Sequence, residues 1–264
     1  MIRSLFLVLC FYALSFASGY NDVMVQHIKS IKNTNKTFSF AVYGDNRGRD
    51  DILLSIINSV DSDKEILFSI NNGDLVSDGL KYQFKHYLSI IKESKKPIIS
   101  IIGNHGIGLF ENNANYKKIF GKTHFTFSFQ NSYFIIIDDA DDEAVSLKEL
   151  SWLRRELDKS KKYTNKFIFM HIPLYDPRKG DYKEGHSLDN SKQVQLLNNL
   201  FDKYNVTMLF CSHIHSYYRG FWHKTPYIIS GGAGATLKKK GFFHYIKVTV
   251  DKLSIKYKVI KISK

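Results

Sequence analysis

At 264 residues, with 44% hydrophobic content and only four prolines, the chain can bury a full core and is too apolar to stay disordered. Its formal charge of +13 invites a polyanionic partner, but the excess is lysine scattered among asparagine and isoleucine rather than gathered in one block, so a dedicated nucleic-acid or membrane surface is set aside. Two cysteines, Cys10 and Cys211, exclude a disulfide-stapled scaffold.

Arg3 precedes the apolar run Leu5 to Phe16, and Ala17-Ser18-Gly19 offers small residues where a signal peptidase reads. Residues 1–19 are expected to be a cleaved secretory signal, too short for a comfortable membrane span, with a retained N-terminal anchor as the alternative. Residues 20–264 then form one exported domain, periplasmic or secreted, in which Cys211 is the only cysteine.

Thr37 to Tyr43 reads as a strand ended by Gly44-Asp45-Asn46-Arg47-Gly48, and Asp50 or Asp51 is placed to cap a helix through Val60. Ile66 to Ile70 is a second strand, ending in Asn71-Asn72-Gly73-Asp74, and a helix from about Leu80 to Glu93 follows. A third strand after Pro97 ends in Gly103-Asn104-His105. His124 to Phe129 and Tyr133 to Asp138 read as paired strands, followed by an acidic stretch, Asp138 to Glu143, taken as a solvated loop. Ser146 to Leu157 is helical, Lys166 to Met170 is a strand ending at His171, and a helix from about Ser191 to Tyr204 leads to the apolar run Val206 to Phe210. If extended backbone continues past that run, His213 and His215 emerge on one face and converge on one point. Tyr227 to Ser230 and His244 to Ile262 alternate as antiparallel strands, and the whole order predicts an α/β fold.

Five strands thus end in a metal ligand or polar catalytic group, and in α/β sheets sites form outside the carboxyl ends of strands. Each motif alone is weak: Gly-Asp is a common turn, and a lone histidine is more often a satisfied one. Together, Gly44-Asp45, Gly73-Asp74, Gly103-Asn104-His105, His171 and His213-Ile214-His215 resemble the calcineurin-like metallophosphoesterases, which include purple acid phosphatases and many bacterial phosphodiesterases. Gly231-Gly232-Ala233-Gly234 is similar to the glycine-rich strand end that often follows.

The resemblance implies a four-layer αββα sandwich of two mixed β-sheets flanked by helices, with two metal ions (Mn, Fe or Zn) over the sheet ends. It assigns Asp45 and His215 to the first ion, Asn104, His171 and His213 to the second, and Asp74 to both. A hydroxide between the ions would attack phosphorus in line, and His105 would stand near the leaving group as a proton donor. The glycines before Asp45, Asp74 and Asn104 are expected to permit sharp chain exits.

One position departs from the pattern. Where many members have a histidine two residues after the first aspartate, this chain has Arg47, whose guanidinium cannot ligate a cation. The first ion should therefore be held more loosely. Arg47 is read either as a phosphate clamp or as a rim arginine paired with Asp50 or Asp78. Where purple acid phosphatases use a tyrosine three residues after the bridging aspartate, this chain has Ser77. The expected activity is hydrolysis of phosphate mono- or diesters on a small phosphorylated substrate, with Asn104 also touching substrate. The other readings are a nuclease and a phosphate-ligand binding protein whose first metal site has decayed. No partner protein is implied.

Overall fold

The computed structural model describes residues 18–33, 35, 37–108, 112–141, 145–178, 186–188, 190–238, 241–251 and 254–263. Apart from Ser18 and Gly19, the expected signal lies outside them. Gly19 starts the first helix, its carbonyl accepting from Asp22 N and Val23 N while its own N–H donates to Asp22. In chain order the elements are α1 (Tyr20–Ser30), β1 (Phe38–Tyr43), α2 (Asp50–Ser62), β2 (Ile66–Asn71), α3 (Lys81–Ile91), β3 (Ile98–Ser100), a 3-10 turn (Asn104–Gly106) and α4 (Ala114–Phe120). Then come β4 (Phe125–Phe129), β5 (Ser132–Ile136), α5 (Leu147–Ser160), β6 (Asn165–Phe169), α6 (Ser191–Lys203), β7 (Met208–Cys211), β8 (Tyr217–Trp222), β9 (Thr225–Ser230), β10 (His244–Val250) and β11 (Ile255–Lys261).

The strands form two mixed sheets, ordered β11-β10-β1-β2-β3 and β4-β5-β6-β7-β9-β8. Within the first, β1, β2 and β3 run parallel; within the second, β5, β6, β7 and β9 do. Their facing sides carry phenylalanine at alternate positions, because a strand sends every second side chain to one face. Phe40 sits at the centre, its ring between 5.3 and 6.5 Å from those of Phe68, Phe134, Phe167, Phe169 and Phe210. Burying each such ring contributes about 2–3 kcal/mol, and edge-to-face pairing adds to that.

The outer faces take the helices. Ile52, Ile56 and Val60 of α2, Phe84 and Tyr87 of α3, and Tyr116 and Phe120 of α4 pack over the first sheet. Leu150, Leu153 and Leu157 of α5 and Leu197 and Phe201 of α6 cover the second. The expected αββα layering therefore stands, and it brings the carboxyl ends of both parallel strand sets to one end of the sandwich.

One local expectation needs correcting. Arg49, not Asp50 or Asp51, precedes α2; both aspartates lie in its first turn, where they complement the helix dipole without capping it. The tail from His244 forms the expected antiparallel strands, β10 and β11. The segments α1, α4 and β8 were not anticipated, α4 because seven residues give too short a period to read. Among the described residues, no helix is long and apolar enough to cross a membrane.

Candidate metal centre

The loops after β1 and β2 are zipped together: Asn72 N donates to Tyr43 O (2.6 Å), Asp45 N to Gly73 O (3.0 Å) and Arg47 N to Asp74 O (3.0 Å). Asp45, Arg47 and Asp74 all take left-handed backbone angles, with φ of 63°, 43° and 52°. Such conformations are costly for non-glycine residues and persist only when the surroundings impose them. The glycines correct one expectation. Only Gly73, at φ 102°, supplies a turn; Gly44 and Gly103 are needed because a Cβ would lie 2.2 Å from Ser212 Oγ and 2.5 Å from Asp74 N respectively.

His171 is fully buried and held from three sides. Its N–H and that of Ile172 donate to the two carboxylate oxygens of Asp139, at 2.8 and 2.6 Å. Its Nδ1 lies 3.0 Å from Asn72 O, which can only accept, so Nδ1 carries a proton and Nε2 is the atom presented to the site. Nε2 stands 3.1 Å from Asn104 Oδ1, 3.3 Å from Asp74 Oδ1 and 3.9 Å from Asp45 Oδ1. The expected solvated loop does not hold at Asp139, which is buried and anchors His171. Nothing in the spacing separates Asp139 from Asp141; only the pairing of β5 beside β6 does. Residues 142 and 143 of that stretch lie outside the described residues.

The pair at His213 and His215 is built differently from the strand continuation expected. β7 stops at Cys211, which is buried, and the chain makes two three-residue turns, Ile214 N to Ser212 O (2.6 Å) and Ser216 N to Ile214 O (2.5 Å), with His213 at φ 65°. Ile214 enters the outer core while both imidazoles turn the other way. His213 Nδ1 reaches Asn104 Oδ1 (3.1 Å), and its backbone N–H donates to Asp45 Oδ2 (2.9 Å). His215 Nδ1 donates to Thr236 O (2.8 Å), leaving Nε2 3.8 Å from Asp45 Oδ1. The glycine run closes this side: Gly231 N donates to Ser216 O and Ala235 N to Asp45 O.

His105 and Arg47 form the rim. His105 N donates to Asp74 Oδ1 (3.0 Å), and its Nδ1 donates to Ser77 O (2.7 Å), which turns Nε2 to within 3.9 Å of Asp74 Oδ2. Arg47 Nη2 lies 3.1 Å from that same Nδ1. Because Nδ1 already carries a proton, this is one donor against another, and the guanidinium remains available for an anion. The two rim partners considered for Arg47 are engaged elsewhere, Asp50 with His86 and Asp78 with Gln83.

Electrostatics separates the two buried aspartates. Burial, reinforced by Asp74, pushes the Asp45 carboxyl up to about 8, whereas Asp74, despite its own burial, is held well below the usual carboxylate range by His171 and His105. Burial would lower His171, but the charges of Asp74, Asp45 and Asp139 raise it to about 10. Burial, together with the nearby Arg47 cation, lowers His215 to about 4, so its imidazole is neutral near pH 7.

The donor set fits a cation. Ligand atoms of Asp45, Asp74 and His171 lie within 4.8 Å of one another, and Asp45 Oδ1 is buried without a hydrogen-bond partner. A bare buried carboxylate oxygen is costly unless protonated or metal-bound. Oxygen donors and imidazoles suit Mn, Fe and Zn alike. The structure therefore brings together all of the residues singled out in the sequence: Asp45, Asp74, Asn104, His105, His171, His213, His215 and Arg47. After His171 the chain returns to this side at His186, whose ring lies 5.7 Å from that of His213; residues 179–185 and 189 lie outside the described residues.

The family model for calcineurin-like phosphoesterases matches residues 38–217, which contain every one of these groups. The chain belongs to that family. A probable cyclic nucleotide phosphodiesterase of Fibrobacter succinogenes is 28% identical to this phosphoesterase-family chain over 173 residues, 62% of each protein. A purple acid phosphatase from yellow lupin seeds superposes with a TM-score of 0.68 at 17% identity, covering 85% of this chain and 53% of the lupin protein. GAP50, described as the anchor in the inner membrane complex of Plasmodium, superposes at 0.66 with 15% identity, covering 86% and 85%. At such identities the two structures share the fold.

Proposed function

We propose that the chain is an exported, metal-dependent phosphoesterase that hydrolyses phosphate mono- or diesters. The observation that carries this reading is the buried, partnerless Asp45 Oδ1, which faces His171 Nε2 and His215 Nε2 at the point where both sheets deliver their strand ends. Asp45 and His215 would hold one ion, Asn104, His171 and His213 the other, with Asp74 shared. When bound, such ions supply Lewis acidity, a lowered pKa for the attacking water and neutralisation of phosphate charge.

The remaining work falls to this chain's own groups. Arg47 binds a phosphate oxygen through its planar donor fork. With Nδ1–H committed to Ser77 O, His105 uses Nε2, which stands 3.9 Å from Asp74 Oδ2, to pass a proton to the leaving oxygen. Asn72 O and Asp139 keep His171 in the orientation that presents Nε2. The phosphodiesterase among the relatives makes nucleotide esters the first diesters to try.

The deciding experiment is hydrolysis of paired chromogenic mono- and diesters by the purified domain as isolated, after chelation, and after adding Mn, Zn or Fe, beside Asp74→Asn. Metal-restored turnover that the variant lacks is the expected result. Turnover absent with every ion, while ion binding persists, would favour a phosphate-ligand binding protein, the reading that Arg47 in a ligand position supports. Export is tested by sequencing the N-terminus of the secreted protein, where a start at Tyr20 is expected.

A further inference from the structure

A cavity of about 490 Å³ opens beside Arg47, between the loop after β1, the loop after β2 and the first half of α3. That volume falls within the roughly 300–1,000 Å³ of small-molecule sites. Its floor is apolar, made by Leu75, Val76 and Tyr87. Its wall carries Tyr82 and His86, four residues apart on α3 and so on one face of the helix. Tyr82 is 68% exposed, among the most exposed large hydrophobic side chains of the described residues. A single exposed aromatic is ordinary on a surface. Here the ring stands on a rigid helix, beside an imidazole oriented by a 2.7 Å contact from His86 Nε2 to Asp50 Oδ2, over a cavity that Arg47 shares with the metal centre.

We infer that this cavity seats the planar base of a nucleoside phosphate whose phosphate group lies on Arg47, the base stacking on Tyr82 and offering its amine edge to Asp50. The inference rests on the phosphoesterase reading and names its substrate class. Stacking on an aromatic face needs no particular base, while the second carboxylate oxygen of Asp50 accepts from an exocyclic amine. A phosphosugar or a lipid head group would find few hydrogen-bond donors on this floor. Gln83, the obvious candidate, is committed to Asp78 and to the backbone N–H groups of Asp78 and Leu80.

The test compares adenosine 5′-monophosphate with ribose 5-phosphate as substrates of the metal-loaded protein and of Tyr82→Ala, an exposed position whose truncation leaves the core intact. The expected result is a kcat/KM at least about tenfold higher for the nucleotide, with that advantage lost in Tyr82→Ala and ribose 5-phosphate unaffected. Equal use of the two by the native protein, or equal loss of both in the variant, overturns the inference and leaves the phosphoesterase reading standing. If neither is hydrolysed, the phosphoesterase reading stands or falls on the paired mono- and diester assay above, and equilibrium dialysis of the two compounds decides this one. Adenosine 5′-monophosphate retained at least about tenfold more tightly by native protein than by Tyr82→Ala supports it, and equal retention overturns it.

Discussion

Asn104, His171 and His213 meet at single hydrogen-bonding distances around one amide oxygen, whereas Asp45 and His215 stand nearly 4 Å apart and share their side of the centre with Arg47. The first side is fixed from behind: Asp139 takes two backbone N–H groups and Asn72 O sets the ring of His171. The second depends on a buried carboxyl that keeps its proton in the ion-free protein and on an imidazole lowered by burial and a neighbouring cation. The contrast teaches that the two ion positions need not be equally strong. Orientation from behind determines the position at His171, and local charge the position at Asp45 and His215.

The largest effect should come from the group both sides share. Asp74→Asn is expected to cut metal-supported turnover by about 10³-fold or more, since bound ions are worth several kcal/mol of transition-state stabilisation. A smaller loss in steady-state assays would mean that Asp74 is not shared. Next, Asp139→Asn keeps one acceptor and sets an N–H₂ against a backbone N–H. Titration with a chelating dye should show ion affinity weakened about 10- to 100-fold on the His171 side. Unchanged affinity would remove the contrast in support from behind.

On the weaker side, Arg47→His should tighten the ion held by Asp45 and His215 by about tenfold or more, because it removes a nearby cation and adds a ligand. Arg47→Ala should raise KM about tenfold without weakening metal uptake, the signature of a lost charged hydrogen bond to phosphate. If Arg47→Ala left KM unchanged, the phosphate role would be excluded.

The smallest effect is in protons. Asp45, raised from 3.8 to about 8, and His171, raised from 6.5 to about 10, both hold protons that an incoming cation must displace. Calorimetry in buffers of different ionisation enthalpy should therefore find more protons released per chain on manganese uptake at pH 6.5 than at pH 9. A release that does not change with pH would place the ion elsewhere. The same shifts have a sign for the ion-free fold. Groups with raised folded-state values contribute stability that is present below their unfolded values and lost as pH rises, through about 8 for Asp45 and then about 10 for His171.

Strand ends, their polar terminal residues and the α/β class were legible in the chain because period-two apolar runs and short glycine-flanked motifs are local signals, and the αββα layering followed from the family resemblance those motifs carry. They single out Asp45, Asp74, Asn104, His105, His171, His213 and His215, with the exception at Arg47, as residues that the fold then brings to one place. What tertiary structure alone decided is how those groups are aimed. Asp139 is indistinguishable in sequence from its acidic neighbours until β5 lies beside β6. Gly44 and Gly103 serve close approach to Ser212 and Asp74, residues far away in the chain. His213 and His215 share a side through two tight turns rather than strand alternation, a geometry imposed by the Asp45 carboxylate on the His213 backbone and by Ile214 entering the core. Residue type and local spacing are properties of the chain, whereas the tautomer, charge and direction of a buried side chain depend on partners that only folding brings within reach.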